Sequence, residues 1–123
     1  MNFEEYRKYD ALGLAALVKS KEVQASELLE LAIQRTEAVN PKINAVVSKL
    51  YDLAKEQIKT LDANATFAGV PFLLKDLDAH LAGTRCTGGS GILKNYVSKE
   101  TSETVHRAIK SGLIIFGKSN TPE

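Results

Sequence analysis

The sequence predicts an α/β protein: a helical amino-terminal half followed by a βαβ unit that belongs to a larger mixed sheet. Three observations carry this reading. Apolar residues recur at helical spacing through the first half. Two short apolar runs, 70–74 and 113–116, have the unbroken pattern of strands buried on both faces. One more helical stripe lies between them, and strand, crossover helix, strand reads as a parallel pair with a right-handed connection.

Each element has a local reason. Asp10 is placed to cap a first helix that presents Leu14, Leu17 and Val18 at i, i+3, i+4 spacing. A second helix is predicted over 24–39, with Leu28, Leu29, Ala32, Ile33 and Val39 in one broad stripe. Glu27 sits where a capping-box acid belongs, although Gln24 is a poor cap beside Ser or Thr. Asn40-Pro41 is expected to stop that helix, because proline lacks the donor that a helix interior requires. The stretch 43–47 fits either a short strand or an extended link. A third helix over 51–62 would place Leu53, Ala54, Ile58 and Leu61 on one face. Pro71 puts the next run at a strand start or a sheet edge. Residues 76–102, rich in Gly, Thr and Ser, form a long loop, and loops of that length are usually functional. Ser102 is placed to cap a fourth helix that turns Val105, Ala108 and Ile109 to the core. Gly112 then ends it at the C′ position.

The balance of residues narrows the function. With 123 residues, 44% hydrophobic and 25% charged, the chain has the composition of a soluble globular domain. A net charge of +1 gives no electrostatic case for nucleic acid or an acidic membrane as partner. The single cysteine, Cys86, cannot form an internal disulfide. The polar, acidic first residues are unlike a signal peptide, and no apolar run has the length of a membrane span. A cytoplasmic protein is the expectation.

Several motifs compete for attention. Gly112-Leu113-Ile114-Ile115-Phe116-Gly117-Lys118-Ser119 satisfies the Walker A pattern. Its context is wrong, since a helix precedes it, strand-forming residues fill the gap between the glycines and Pro122 follows. Thr87-Gly88-Gly89-Ser90-Gly91 is read as a turn rather than a ligand loop. Cys86 has no partner at metal-ligand spacing, so no metal site is expected, and no cofactor. His80 and His106 are weak candidates, and His106 beside Arg107 reads as an exposed histidine. Lys75-Asp76 says more. A lysine at the carboxyl end of a parallel strand points where ligands collect in open α/β sheets. Taken out of water, such a lysine loses the hydration that favours its ammonium form and can act as a general base. Taken alone, it is more often a solvated strand-end lysine.

The pair does not stand alone. Gly69-Val70-Pro71-Phe72-Leu73-Leu74-Lys75-Asp76 resembles the G-V-P-x-x-x-K-D segment of the amidase signature family. The likeness runs on through Ala82-Gly83-Thr84, Gly89-Ser90, and Ser102-Glu103 with Val105 and Arg107. It closes on residues 112–123, ending Lys118-Ser119-Asn120-Thr121-Pro122-Glu123. Upstream, Glu27-Leu28 and Asn40-Pro41-Lys42-Ile43-Asn44-Ala45-Val46-Val47 look like the family's helical entry segment. Gln24 in place of a helix-cap Ser or Thr, and Arg85-Cys86 where the family often has Pro-Thr, are the departures.

The resemblance implies a hydrolase that cleaves amide bonds through an acyl-enzyme, using a Ser–cis-Ser–Lys triad. Lys75 matches the family's general-base lysine. Both serines belong to a G-G-S-S-G-G-S signature absent from these residues, and Ser90 matches an earlier Gly-Ser turn instead. Residues 1–123 are therefore expected to be the amino-terminal part of a single amidase domain, inactive alone. The substrate would be a small-molecule amide in the complete enzyme, and an exposed sheet edge would favour self-association. Two alternatives remain: a non-catalytic remnant or structural subunit, and an amidotransferase subunit of the same family.

Overall fold

In the computed structural model, residues 1–121 are described. Pro122 and Glu123, the end of the resemblance above, lie outside the described residues. A short helix α1 (Phe3–Tyr6) leads into α2 (Ala11–Lys19) and the long α3 (Ala25–Ile43). Strand β1 (Val46–Lys49), helix α4 (Tyr51–Lys59) and strand β2 (Pro71–Lys75) follow. A long loop then leads to α5 (Glu103–Lys110) and β3 (Ile114–Ser119).

The helix ends show which local signals act. Asp10 caps α2, its Oδ1 accepting from the Gly13 amide at 2.8 Å. At the start of α3, Glu27 Oε2 accepts from the Gln24 amide at 3.2 Å, so the acid half of the box forms despite the weak cap residue. Pro41 does not stop α3, which continues to Ile43. The proline lies in the last turn, and termination falls instead to Asn44, in the left-handed region at φ 46°. Asn40 anchors that exit through two bonds to Val46: Nδ2 donates to its carbonyl at 2.9 Å, and Oδ1 accepts from its amide at 2.8 Å. Ser102 occupies the N-cap position of α5 but makes no capping bond with its side chain. Its Oγ donates to the His80 carbonyl at 3.4 Å, tying the long loop to the helix start. The third helix is shorter than its periodicity suggests, ending at Lys59.

The sheet has the order β1-β3-β2, with β2 parallel and β1 antiparallel to β3. The parallel pair is the one the βαβ pattern predicts. Of the stretch 43–47 left open as strand or link, Ile43 ends α3 and residues 46 and 47 begin β1, so the sheet is mixed. Helices and loop cover both faces of β3. On one, Ile114 and Phe116 pack with Leu29 of α3, Ala54 of α4 and Leu73. On the other, Ile115 packs with Leu74, Leu81 and Val105 of α5. Leu53 turns toward this second group, away from Ala54, Ile58 and Leu61 with which the helical spacing had grouped it. A third group, Leu14, Ala15, Val23, Leu28 and Val70, holds α2 against α3 and the entry to β2. Leu28 is wholly buried, which stabilises the fold by about 1.5–3 kcal/mol relative to an exposed leucine.

Burial on both faces, expected for both apolar runs, holds for β3 alone. Strand β2 lies at the edge, and Phe72 is 40% exposed. An edge strand has one hydrogen-bonded neighbour, so its side chains lack cover along the open side.

Candidate active site

Strand β2 carries the candidate catalytic residue at its last position. Lys75 pairs with Ser119 across the parallel ladder, so both stand at the carboxyl ends of adjacent strands. That is where an open α/β sheet leaves room for ligands. A groove of about 350 Å³ opens there, lined by Phe72, Leu74, Lys75, Ala79, Val105 and Ser119 among others. Lys75 is exposed, and among the described residues its ammonium makes no hydrogen bond or ion pair.

The residue after it behaves differently. Asp76 is only 4% exposed. Its amide donates to the Ser119 carbonyl at 3.0 Å, extending the strand pairing by one residue. Its carboxylate accepts from the Thr87 amide at 2.9 Å and from the Thr87 hydroxyl at 2.5 Å. The loop is thus drawn back over the strand end, and the backbone that bears Lys75 is held on both sides.

Lys118 is the residue that motif reading undervalues. It lies in β3 opposite Leu74, is wholly buried, and donates from Nζ to the Arg85 carbonyl at 2.6 Å. Burial pushes its pKa below the ordinary lysine value of 10.5, while the Cys86 and Asp76 groups act in the opposite direction. Cys86 is buried beside it. Burial raises the thiol above its ordinary 9.0, Lys118 opposes that rise, and Asp76 and Asp78 add to it. No sequence signal marks Lys118 for burial. Its one hint is position, near the end of an apolar run in a strand that must be covered on both faces.

The remaining motifs resolve simply. The Walker-like octapeptide runs through β3, whose extended, paired backbone cannot wrap a phosphate. The Ser90 amide donates to the Thr87 carbonyl at 3.0 Å, which makes 87–90 the turn that its composition suggests. His106 is exposed. His80 shares a 2.9 Å bond between Nδ1 and Ser98 Oγ and stands edge-on to Tyr96, so its contacts lie within the long loop.

The chain has an α/β frame with an exposed lysine at the carboxyl end of a parallel strand, and likeness to known proteins says which class it belongs to. A family model for amidases matches residues 27–123, and the chain belongs to that family, the amidase signature enzymes. It is 39% identical over 120 residues to a lipoamidase of Enterococcus faecalis, covering 97% of this chain and 17% of that protein. It is 37% identical over 117 residues to a glutamyl-tRNA(Gln) amidotransferase subunit of a Sulfurihydrogenibium species, covering 89% of this chain and 24% of that protein. The structure of a 6-aminohexanoate cyclic dimer hydrolase complexed with substrate superposes with a TM-score of 0.87 at 38% identity, over 94% of this chain and 24% of that one. The chain thus spans about a quarter or less of the length of these relatives.

Proposed function

We propose that residues 1–123 form the amino-terminal part of a single amidase domain. In the complete enzyme they supply the general base for amide hydrolysis through an acyl-enzyme. The observation that carries this reading is Lys75: unpartnered among the described residues, at the carboxyl end of parallel β2, and matching the family's lysine. In the triad that the resemblance implies, Lys75 takes a proton from a serine held by a cis peptide bond, which relays it from the nucleophilic serine. Both serines lie outside this sequence, so residues 1–123 alone are inactive. The substrate is a small-molecule amide, not a nucleic acid or a membrane, in keeping with the net charge of +1. A cytoplasmic location belongs to the same reading, since the single cysteine requires no oxidising compartment. No described helix is long and apolar enough to cross a membrane.

A second reading, an amidotransferase component that releases ammonia for a partner active site, rests on the likeness to the Sulfurihydrogenibium protein. Copurifying partner proteins would favour it. The main reading is tested by steady-state amide hydrolysis in a complete enzyme containing this segment, wild type against Lys75→Ala and Lys75→Arg. Loss of a proton-transfer group lowers kcat by about a hundredfold or more, with a smaller effect on KM. Arginine does not rescue, being always protonated. Near-normal turnover in both variants removes Lys75 from the mechanism, and hydrolysis by residues 1–123 alone overturns the assignment.

A further inference from the structure

The wholly buried Lys118 asks for an explanation that stability does not provide. A buried ammonium loses its hydration and needs partners for three donors. Among the described residues Lys118 has one hydrogen-bond acceptor, the Arg85 carbonyl, and no direct ion pair. A methionine would fill much of the same space at no desolvation cost, and replacing buried charge by apolar volume is often neutral or stabilising. What the lysine does achieve is reach. Its stem runs under the loop from β3, and its head meets that loop at Arg85, 33 residues away in sequence. Two residues on, Thr87 closes on the Asp76 carboxylate, and Asp76 follows Lys75 directly. The Cys86 thiol, between these two anchors, donates to the Leu77 carbonyl at 3.4 Å.

We propose that Lys118 is a positioning residue: it pins the loop at Arg85 so that Thr87 and Asp76 fix the end of β2 and with it the place of Lys75. The proposal rests on the reading of Lys75 as general base. Lys118 itself touches no substrate in this account. It sets where the Lys75 amine stands, and a reacting group misplaced by about 1 Å costs as much as a hundredfold in rate.

The test uses a complete enzyme containing this segment, with Lys118→Met and Asp76→Asn, and reads two quantities. The first is amide hydrogen exchange. Cys86 and Thr87 should exchange at least about tenfold faster in Lys118→Met, while Ile114 and Ile115 in β3 keep wild-type protection. The second is kinetics: kcat should fall about tenfold to a hundredfold with KM within about twofold, because geometry is lost and the binding pocket is not. A merely structural lysine would lower the melting temperature and the yield of folded enzyme, with kcat per folded molecule unchanged, and that result overturns the proposal. Unchanged exchange at residues 86 and 87 overturns it equally. If Lys118→Met does not fold, Asp76→Asn decides, since it keeps the side-chain volume. Faster exchange at Thr87 with a kcat-selective loss supports the proposal, and wild-type values of both overturn it. A wild-type enzyme without amide hydrolysis defeats the proposed function, whereas the exchange measurement still decides whether Lys118 holds the loop.

Discussion

Replacing Gly112 by alanine should be among the most damaging single-methyl additions in this chain. The residue follows α5 and completes a Schellman motif: its amide donates to the Ile109 carbonyl at 2.9 Å, and the Leu113 amide reaches the Ala108 carbonyl at 3.3 Å. The motif requires left-handed backbone, and Gly112 has φ +95°. A side chain there costs about 1–2 kcal/mol in backbone strain. It also has no room, because its Cβ would stand 2.8 Å from Ala65 Cβ and 2.8 Å from both the Cα and the amide nitrogen of Ala68. Backbone atoms cannot rotate away, so crowding adds about 1–3 kcal/mol. The stiffer unfolded chain returns about 0.4–1 kcal/mol, leaving a net loss of about 1–5 kcal/mol. For a domain near this size that lowers the melting temperature by about 4–20 °C. The control is Gly83→Ala. Gly83 also has positive φ, +79°, but nothing lies within 4 Å of its added Cβ. Strain alone then operates, and after the unfolded-state gain the loss is about 1 kcal/mol. Thermal unfolding of both variants by circular dichroism separates the two contributions. Equal shifts would refute the claim that Ala65 and Ala68 crowd the site, and a wild-type melting temperature for Gly112→Ala would refute the whole argument.

The open side of β2, with Phe72 40% exposed, and the exposed Leu77 just after the strand should make residues 1–123 self-associate or bind a hydrophobic dye when purified alone. Sedimentation and dye fluorescence check this, and a clean monomer with no dye signal counts against an unfilled sheet edge. Glu37 gives a pH prediction. Hydrogen bonds from Lys49 at 2.8 Å and Tyr51 at 2.6 Å hold its carboxyl below the ordinary value of 4.5. A depressed folded-state value means its contribution is present above pH 4.5 and lost as pH falls through that lowered value. Unfolding midpoints measured below pH 4.5 should therefore fall less steeply with acid in Glu37→Gln than in wild type, and parallel curves would contradict the assignment.

Much of this architecture is written locally in the chain. Asp10 caps α2, the α3 stripe buries Leu28 and Leu29, and Gly112 ends α5, because each depends on neighbours within about one or two helical turns. The parallel pairing of β2 with β3 was legible too, since a crossover helix between two apolar runs leaves few other topologies. Lys75 was legible as a strand-end residue, and its match to a family segment singled it out from other such lysines. Other features depend on what packs against them. Pro41 rides within α3 because Asn44 and the Asn40–Val46 bonds, not the proline, end that helix. The chain could not announce that 46–49 would lie antiparallel beside β3, because so short a segment has no decisive periodicity. Phe72, inside the first apolar run, and Lys118, two residues beyond the second, have opposite fates. Position in the sheet decides them: β2 lies at the edge and leaves a phenylalanine in water, while β3 lies at the centre under a covering loop and takes a lysine wholly out of it.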